Sequence, residues 1–213
     1  MTWSGANHLI FDMDGVLLDT EPLYTQAYDA VLEPYGHRLD WETKKAIMGR
    51  PAPVSTRHVI EKFGLPLTPD EFIQRRKPLL EGLFRHSPAM PGAEDFVRRQ
   101  KAAGKRLAVA TSTYRPLFQI KTSGHPWFEL FDTVICGDDP AVARPKPAPD
   151  IFLLAAERLG AAPTDCVVFE DSPAGVEAAV ASGAHVIGLL DPNMDRALYV
   201  GAHRLIESWA ELG

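Results

Sequence analysis

The chain has 213 residues, of which 46% are hydrophobic and 23% charged, the composition of an ordinary globular protein able to build one large domain or a core with an insertion. Its formal net charge of −6 gives no electrostatic footprint for nucleic acid, so an anionic partner would have to be held by local positive charge. No apolar run approaches the length of a membrane span, and Met1–Ala6 lack the basic-then-apolar pattern of a secretion signal.

Cys136 and Cys166 both fall in apolar runs and are expected to be buried free thiols, as suits a reducing compartment. A monomeric cytoplasmic enzyme, with neither membrane nor nucleic acid as a partner, is the expectation.

The first element is the apolar run Leu9-Ile10-Phe11, which reads as a buried strand leading into Asp12-Met13-Asp14-Gly15. Gly15 supplies the break. Side chains alternate on an extended chain, so Asp12 and Asp14 would share a direction, roughly 7 Å apart. Two carboxylates leaving a buried strand are costly unless compensated, and a divalent cation is the usual compensation. Asp-x-Asp also arises by chance and Asp-Gly is a common turn. An EF-hand loop is excluded, because the positions needing Gly and Glu hold Leu17 and Leu23.

Four helices follow. Thr20 or Asp19 can cap the first, with Pro22 in its first turn; Tyr24, Ala27, Tyr28, Val31, Leu32 and Tyr35 recur at helical spacing before Gly36. Asp40 is the expected cap of a helix from Trp41 to Met48, stopped by Gly49. A third helix runs from Pro53 to Phe63. Thr68-Pro69-Asp70-Glu71 has the form of a capping box opening a fourth, which carries Phe72, Leu79, Leu80 and Leu83 and which Pro78 should kink.

From Pro91 helices alternate with strands. Strands are expected at Arg106–Ala110, Thr133–Cys136, Cys166–Phe169, His185–Leu189 and Arg204–Ile206. Helices are expected near Ala93–Ala103, near Pro116–Ser123, after Asp150 as its cap, and over Pro173–Ser182. Alternation of helices with continuously apolar strands predicts an α/β fold with a doubly wound parallel sheet. Residues 1–20 and 88–213 would form that core, and the all-helical residues 21–87 an insertion after the first strand.

Sites in open parallel sheets form at the carboxyl ends of strands. Three strands end in polar clusters: Asp12/Asp14, Thr111/Ser112 and Glu170/Asp171. Lys146 stands between prolines in Arg144-Pro145-Lys146-Pro147. Taken singly, Thr111 could cap the next helix, Lys146 could be a solvated loop charge, and Glu170-Asp171 could cap a helix. Four such points with complementary charge are harder to explain as structure alone.

Together these motifs resemble the haloacid dehalogenase superfamily over essentially the whole chain, and the helical insertion resembles that family's small helical cap. The resemblance implies Asp12 as nucleophile forming an aspartyl-phosphate, and Asp14 as general acid and then base. It implies Mg²⁺ on Asp12, the Asp14 carbonyl, Asp171 and Glu170. Thr111 would hydrogen-bond a phosphoryl oxygen and Lys146 would neutralise charge between nucleophile and phosphate. Ser112 joins the expected substrate-binding residues.

True dehalogenases of the superfamily lack an acid at the position of Asp14, so its presence favours phosphoryl transfer to or from a small phosphorylated metabolite. A β-phosphoglucomutase-like mutase is the alternative; that mutase has His where this chain has Tyr24, which favours a phosphatase. The stretches Phe11–Glu21, Met48-Gly49-Arg50, Lys121-Thr122-Ser123-Gly124-His125 and Gly137-Asp138-Asp139-Pro140 resemble the pseudouridine-5′-phosphatase subgroup. A non-catalytic phosphate-binding regulator would tolerate loss of Asp12 or Asp14, and both are present. Gly49 and Arg50, followed by Pro51, lie between the second and third cap helices; Arg50 is either an exposed cation or a fork that reaches the substrate when the cap shuts.

Overall fold

The structure, a computed structural model, describes residues 5–47, 52–192 and 194–213. Gly49 and Arg50 therefore lie outside the described residues. In chain order the elements are β1 (His8–Phe11), α1 (Glu21–Leu32), α2 (Trp41–Ile47), α3 (Ala52–Phe63), α4 (Pro69–Phe84) and α5 (Ala93–Ala102). They continue with β2 (Arg106–Ala110), α6 (Arg115–Thr122), β3 (Thr133–Ile135), α7 (Asp150–Leu159), β4 (Cys166–Glu170), α8 (Pro173–Ala181), β5 (His185–Leu189) and β6 (Arg204–Ile206). They gather into two compact units, residues 1–19 with 88–213, and residues 20–87.

The first unit holds a six-stranded sheet ordered β3-β2-β1-β4-β5-β6, parallel at every pairing. This is the doubly wound α/β fold that strand–helix alternation predicts. Strand order reverses at β1, which lies between β2 and β4. Its last residue, Phe11, is in register with Val109 on one side and Phe169 on the other. Alternation along β1 sends Leu9 and Phe11 into one apolar layer and Ile10 into the opposite one. Both faces of the sheet are thus covered, as parallel sheets require.

The layer around Phe11 is aromatic. The Phe11 ring stacks on Phe169 at 4.8 Å, and Trp209 lies 4.6 Å from Phe96 and 5.1 Å from Phe169. The Trp209 indole also donates to the Val16 carbonyl at 3.0 Å, so the C-terminal tail is pinned to the loop that follows β1. A deeply buried Trp with its N–H satisfied is a large contribution to a core.

The second unit is helical. Tyr28, Val31 and Leu32 of α1 pack with Ile47, Val59, Leu65 and Phe72. The Arg76 guanidinium lies over the Tyr28 ring at 4.4 Å. The expected capping box is present at α4, with the Glu71 carboxylate accepting from Thr68 N–H at 2.8 Å, and the Asp40 carboxylate accepts from Thr43 N–H at 2.7 Å. α4 continues through Pro78.

Two expected caps differ. Thr20 precedes α1 but makes no side-chain cap bond, its backbone lying at φ −95° and ψ −16°, already close to helical. Asp150 begins α7 rather than capping it, and its carboxylate is taken by Arg144 through the backbone N–H at 3.0 Å and the guanidinium at 2.8 Å. A bidentate charged partner outcompetes a single amide. Among the described residues no helix is long and apolar enough to cross a membrane.

Trp209→Ala should lower the unfolding free energy by about 3–5 kcal/mol, the usual cost of removing a large buried aromatic. Urea unfolding followed by circular dichroism checks it; a midpoint unchanged from wild type would mean the tail is not part of the core.

Candidate active site

The carboxyl ends of three neighbouring strands converge on one ammonium group. Lys146 Nζ donates to Asp12 Oδ1, just beyond β1, at 2.5 Å, to Glu170 Oε1, the last residue of β4, at 2.6 Å, and to the Ala110 carbonyl of β2 at 3.3 Å. The Lys146 side chain is 8% exposed. Burial works to lower its pKa, but Asp12 and Glu170 outweigh that and hold the ammonium above the ordinary lysine range. Burial pushes the Asp12 carboxyl up; opposed by Lys146 and aided by the charges of Glu170 and Asp14, it stands at about 7. Lys146 is therefore not a solvated loop charge but stands among the strand-end acids.

Glu170 is 1% exposed and uses both oxygens. Its Oε2 accepts from the Ser172 N–H at 2.8 Å and hydroxyl at 3.0 Å. Ser172, not Glu170 or Asp171, caps α8, accepting from Gly175 N–H at 3.0 Å. Gly175 packs so tightly under Glu170 that a Cβ there would overlap the carboxylate.

Strand β1 ends at Phe11, so alternation along an extended chain does not reach Asp14. The chain turns instead, with Gly15 N–H donating to the Leu18 carbonyl at 2.8 Å and Gly15 at φ +75°. The two acids consequently take different cations. Asp14 Oδ1 accepts from Lys121 Nζ at 2.5 Å, and its Oδ2 from the Thr113 hydroxyl at 2.8 Å. Lys121 also reaches the Thr113 oxygen at 3.2 Å.

The Asp171 carboxylate lies against Gly15, where a Cβ would collide with it. Its backbone carbonyl accepts from the Tyr199 hydroxyl at 2.7 Å. Burial raises Tyr199 to about 12, so the phenol keeps the proton it donates. Thr111 is 1% exposed, and its hydroxyl accepts from Thr113 N–H at 3.1 Å. It therefore shapes its own turn rather than capping α6, which starts after Tyr114. Ser112 is exposed, with its carbonyl against Gly137, where a Cβ would clash with the backbone.

A match to the haloacid dehalogenase-like hydrolases spans residues 6–183. The chain belongs to this family. Within it the chain stands with phosphatases. It is 40% identical to a Drosophila melanogaster protein named "Probable pseudouridine-5'-phosphatase", over 97% of this chain and 91% of that protein. It is 39% identical to (DL)-glycerol-3-phosphatase 1, mitochondrial, of Arabidopsis thaliana, over 94% of this chain and 70% of that one. Among solved structures, a haloacid dehalogenase family hydrolase from Deinococcus radiodurans R1 with bound phosphate and sodium superposes with a TM-score of 0.83 at 30% identity, covering 97% of this chain and 93% of that one.

Set in this family frame, the structure joins Asp12, Lys146 and Glu170 through direct bonds and sets Asp171 against the turn that follows Asp14. Thr113 and Lys121 are the residues sequence reasoning missed. Lys121 falls in a stretch that carries a subgroup resemblance, but the motifs assign it no role. The signal was its phase: Phe118 and Lys121 share the buried face of α6, and a lysine on an apolar helical face needs a partner. Among the described residues no three His, Cys, Asp or Glu side chains already stand at metal-ligand spacing.

Gly15→Ala should be poorly tolerated, since a left-handed backbone costs a residue with a Cβ roughly 1–2 kcal/mol and the methyl group would displace the Asp171 carboxylate. Thermal unfolding and turnover of p-nitrophenyl phosphate check it; a variant matching wild type in both would show that Asp171 can move without consequence.

Proposed function

We propose that the protein is a phosphomonoester hydrolase for a small phosphorylated metabolite, working through an aspartyl-phosphate on Asp12. The observation that carries this is Lys146 clasped between Asp12 and Glu170, beside the separately held acid Asp14. In the first half-reaction an Asp12 carboxylate oxygen would attack phosphorus, the P–O bond to the alcohol would break, and Asp14 would give its proton to the departing oxygen. In the second, water would attack the same phosphorus, Asp14 would take its proton, and the bond to Asp12 would break to release inorganic phosphate.

Lys146 would hold Asp12 oriented and offset the charge that gathers as two anions approach. Thr111 and Ser112, at the end of β2, would receive phosphoryl oxygens. Carboxylates of Asp12 and Asp171 with the Asp14 carbonyl form an all-oxygen donor set that suits Mg²⁺. Glu170 would join it only by sharing an oxygen already bonded to Lys146 or Ser172. Bound there, Mg²⁺ would supply positive charge for the phosphoryl oxygens.

The helical residues 20–87, inserted directly after the acidic motif, are assigned the role of cap. The buried free thiols Cys136 and Cys166, raised by burial to about 11 and so kept protonated, suit the reducing cytoplasm. Two similar proteins carry phosphatase names with different substrates, a nucleotide-like ester in one and glycerol 3-phosphate in the other. The physiological ester here is therefore assigned only to small phosphorylated metabolites.

The test is a panel of pseudouridine 5′-phosphate, glycerol 3-phosphate and β-glucose 1-phosphate, read as free phosphate with and without Mg²⁺. Hydrolysis that stops in EDTA and returns with Mg²⁺ is expected, and full activity in chelator would remove the metal. Glucose 6-phosphate appearing from β-glucose 1-phosphate faster than free phosphate would make the enzyme a mutase. Asp12→Asn should lose several orders of magnitude in kcat while remaining folded. A folded Asp12→Asn protein keeping a tenth of wild-type rate would end the covalent mechanism.

A further inference from the structure

Lys121 is the most completely buried cation in the neighbourhood of the acidic turn, its side chain 0% exposed. With Thr113 it closes a three-membered ring of bonds on Asp14: Lys121 to Oδ1 at 2.5 Å, Thr113 to Oδ2 at 2.8 Å, and Lys121 to the Thr113 oxygen at 3.2 Å. The Asp14 side chain, 26% exposed, keeps an open edge while its oxygens are tethered. A buried ion pair is a poor way to gain stability, since an apolar pair of the same shape commonly does as well or better. Retaining one here calls for another reason. The loop after β1 bends at Gly15, directly beyond Asp14.

We propose that Lys121, bridged by Thr113, is the positioning residue for Asp14. It holds the acid/base carboxylate in the orientation from which it serves the leaving oxygen in one half-reaction and water in the other. The gain is geometric: a group already aimed loses little freedom at the moment of reaction, and small misplacements of a proton donor are costly in rate. Lys146 serves the nucleophile, Lys121 the acid/base, and neither reaches the other's partner among the bonds seen. The inference rests on the aspartyl-phosphate reading above.

The test uses Lys121→Met, which keeps an unbranched side chain of similar length in the buried channel, and Thr113→Val, which keeps shape and removes the bridging hydroxyl. Each is assayed with the best alkyl ester of the panel and with p-nitrophenyl phosphate, whose phenolate leaves without a proton. For the alkyl ester Lys121→Met should lower kcat about 100-fold, the lower end of what a positioned acid contributes, with KM changed less than about threefold, as expected when only transition-state help is lost. With p-nitrophenyl phosphate a burst of about one p-nitrophenolate per enzyme should persist, followed by slow turnover, because the first half-reaction needs no acid and the second still needs the base.

Thr113→Val should show the same split at smaller size, and the double variant should cost less than the product of the two, as for groups that act as one unit. Equal losses on both esters with the burst reduced in step would mean that Lys121 only maintains the fold, and wild-type kinetics in Lys121→Met would remove it from the reaction. Failure of the underlying reading looks different. In that case wild type itself would yield no acid-stable-quenched phosphoenzyme, and Asp12→Asn would keep the burst.

Discussion

A charged ammonium group held where water hardly reaches is the constraint around which the α/β unit is arranged. Removing an ion from water costs several kcal/mol even after relaxation, and Lys146 is tolerated because its partners come from three adjacent strands: Asp12 after β1, Glu170 at the end of β4, and the Ala110 carbonyl at the end of β2. Those strands must be neighbours in that order with their carboxyl ends level, which is what the parallel register delivers: Phe11 beside Val109 and Phe169. A one-residue slip of β4 against β1 would turn that strand's side chains over and carry Glu170 away from the lysine, and a slip of β2 would move the Ala110 carbonyl. The aromatic layer of Phe11, Phe96, Phe169 and Trp209 therefore does more than bury area. It fixes the register on which the charge arrangement depends.

Glycine makes the close approaches possible at three points. Gly175 lets the first turn of α8 come up under Glu170, so that Ser172 can present both its amide and its hydroxyl to that carboxylate. The N-terminus of a helix, with its unpaired N–H groups, favours a negative partner there. Gly15 both accepts a left-handed backbone and leaves room for Asp171. Gly137 brings the segment after β3 against the Ser112 carbonyl. Each is a place where an added methyl group would move a carboxylate or a backbone segment of the candidate site.

Among the described residues the strands and α-helices are legible in the sequence because both patterns are strong: short apolar runs between turn signals, and apolar residues at helical spacing. Legibility failed where a side chain had a choice of partners. Asp150 has the sequence form of a cap, but Arg144 lies within reach and offers a charge. An extended chain through both acids would point Asp12 and Asp14 the same way, but the strand stops at Phe11 and a turn at Gly15 follows, so strand alternation alone does not set where Asp14 points. Asp12, Lys146 and Glu170 could be read from charged residues at strand ends. Lys121 could not be placed the same way, since it sits in the last turn of a helix and not at a strand end, and only the fold shows that its helical face is turned toward a carboxylate. The tail was uncertain for a similar reason: Trp209 belongs to the core through contacts with residues about 40 to 200 positions earlier, a separation no local pattern reports.

The two lysines also bear on how a chain of net charge −6 could accept an anionic ester. Four carboxylates, Asp12, Asp14, Glu170 and Asp171, stand at or beside the ends of β1 and β4, and the two buried lysines are already committed, Lys146 to Asp12 and Glu170 and Lys121 to Asp14. An arriving phosphate would add charge of the same sign as the surplus. Long-range attraction cannot help, because the overall field is repulsive and exposed charges are screened within about 10 Å at ordinary ionic strength. Lys146 cannot leave the nucleophile for the phosphate without uncovering a buried carboxylate. Positive charge that arrives from solution and binds the surplus oxygens would meet that demand, and this is the charge-balance argument for a divalent cation in the proposed chemistry.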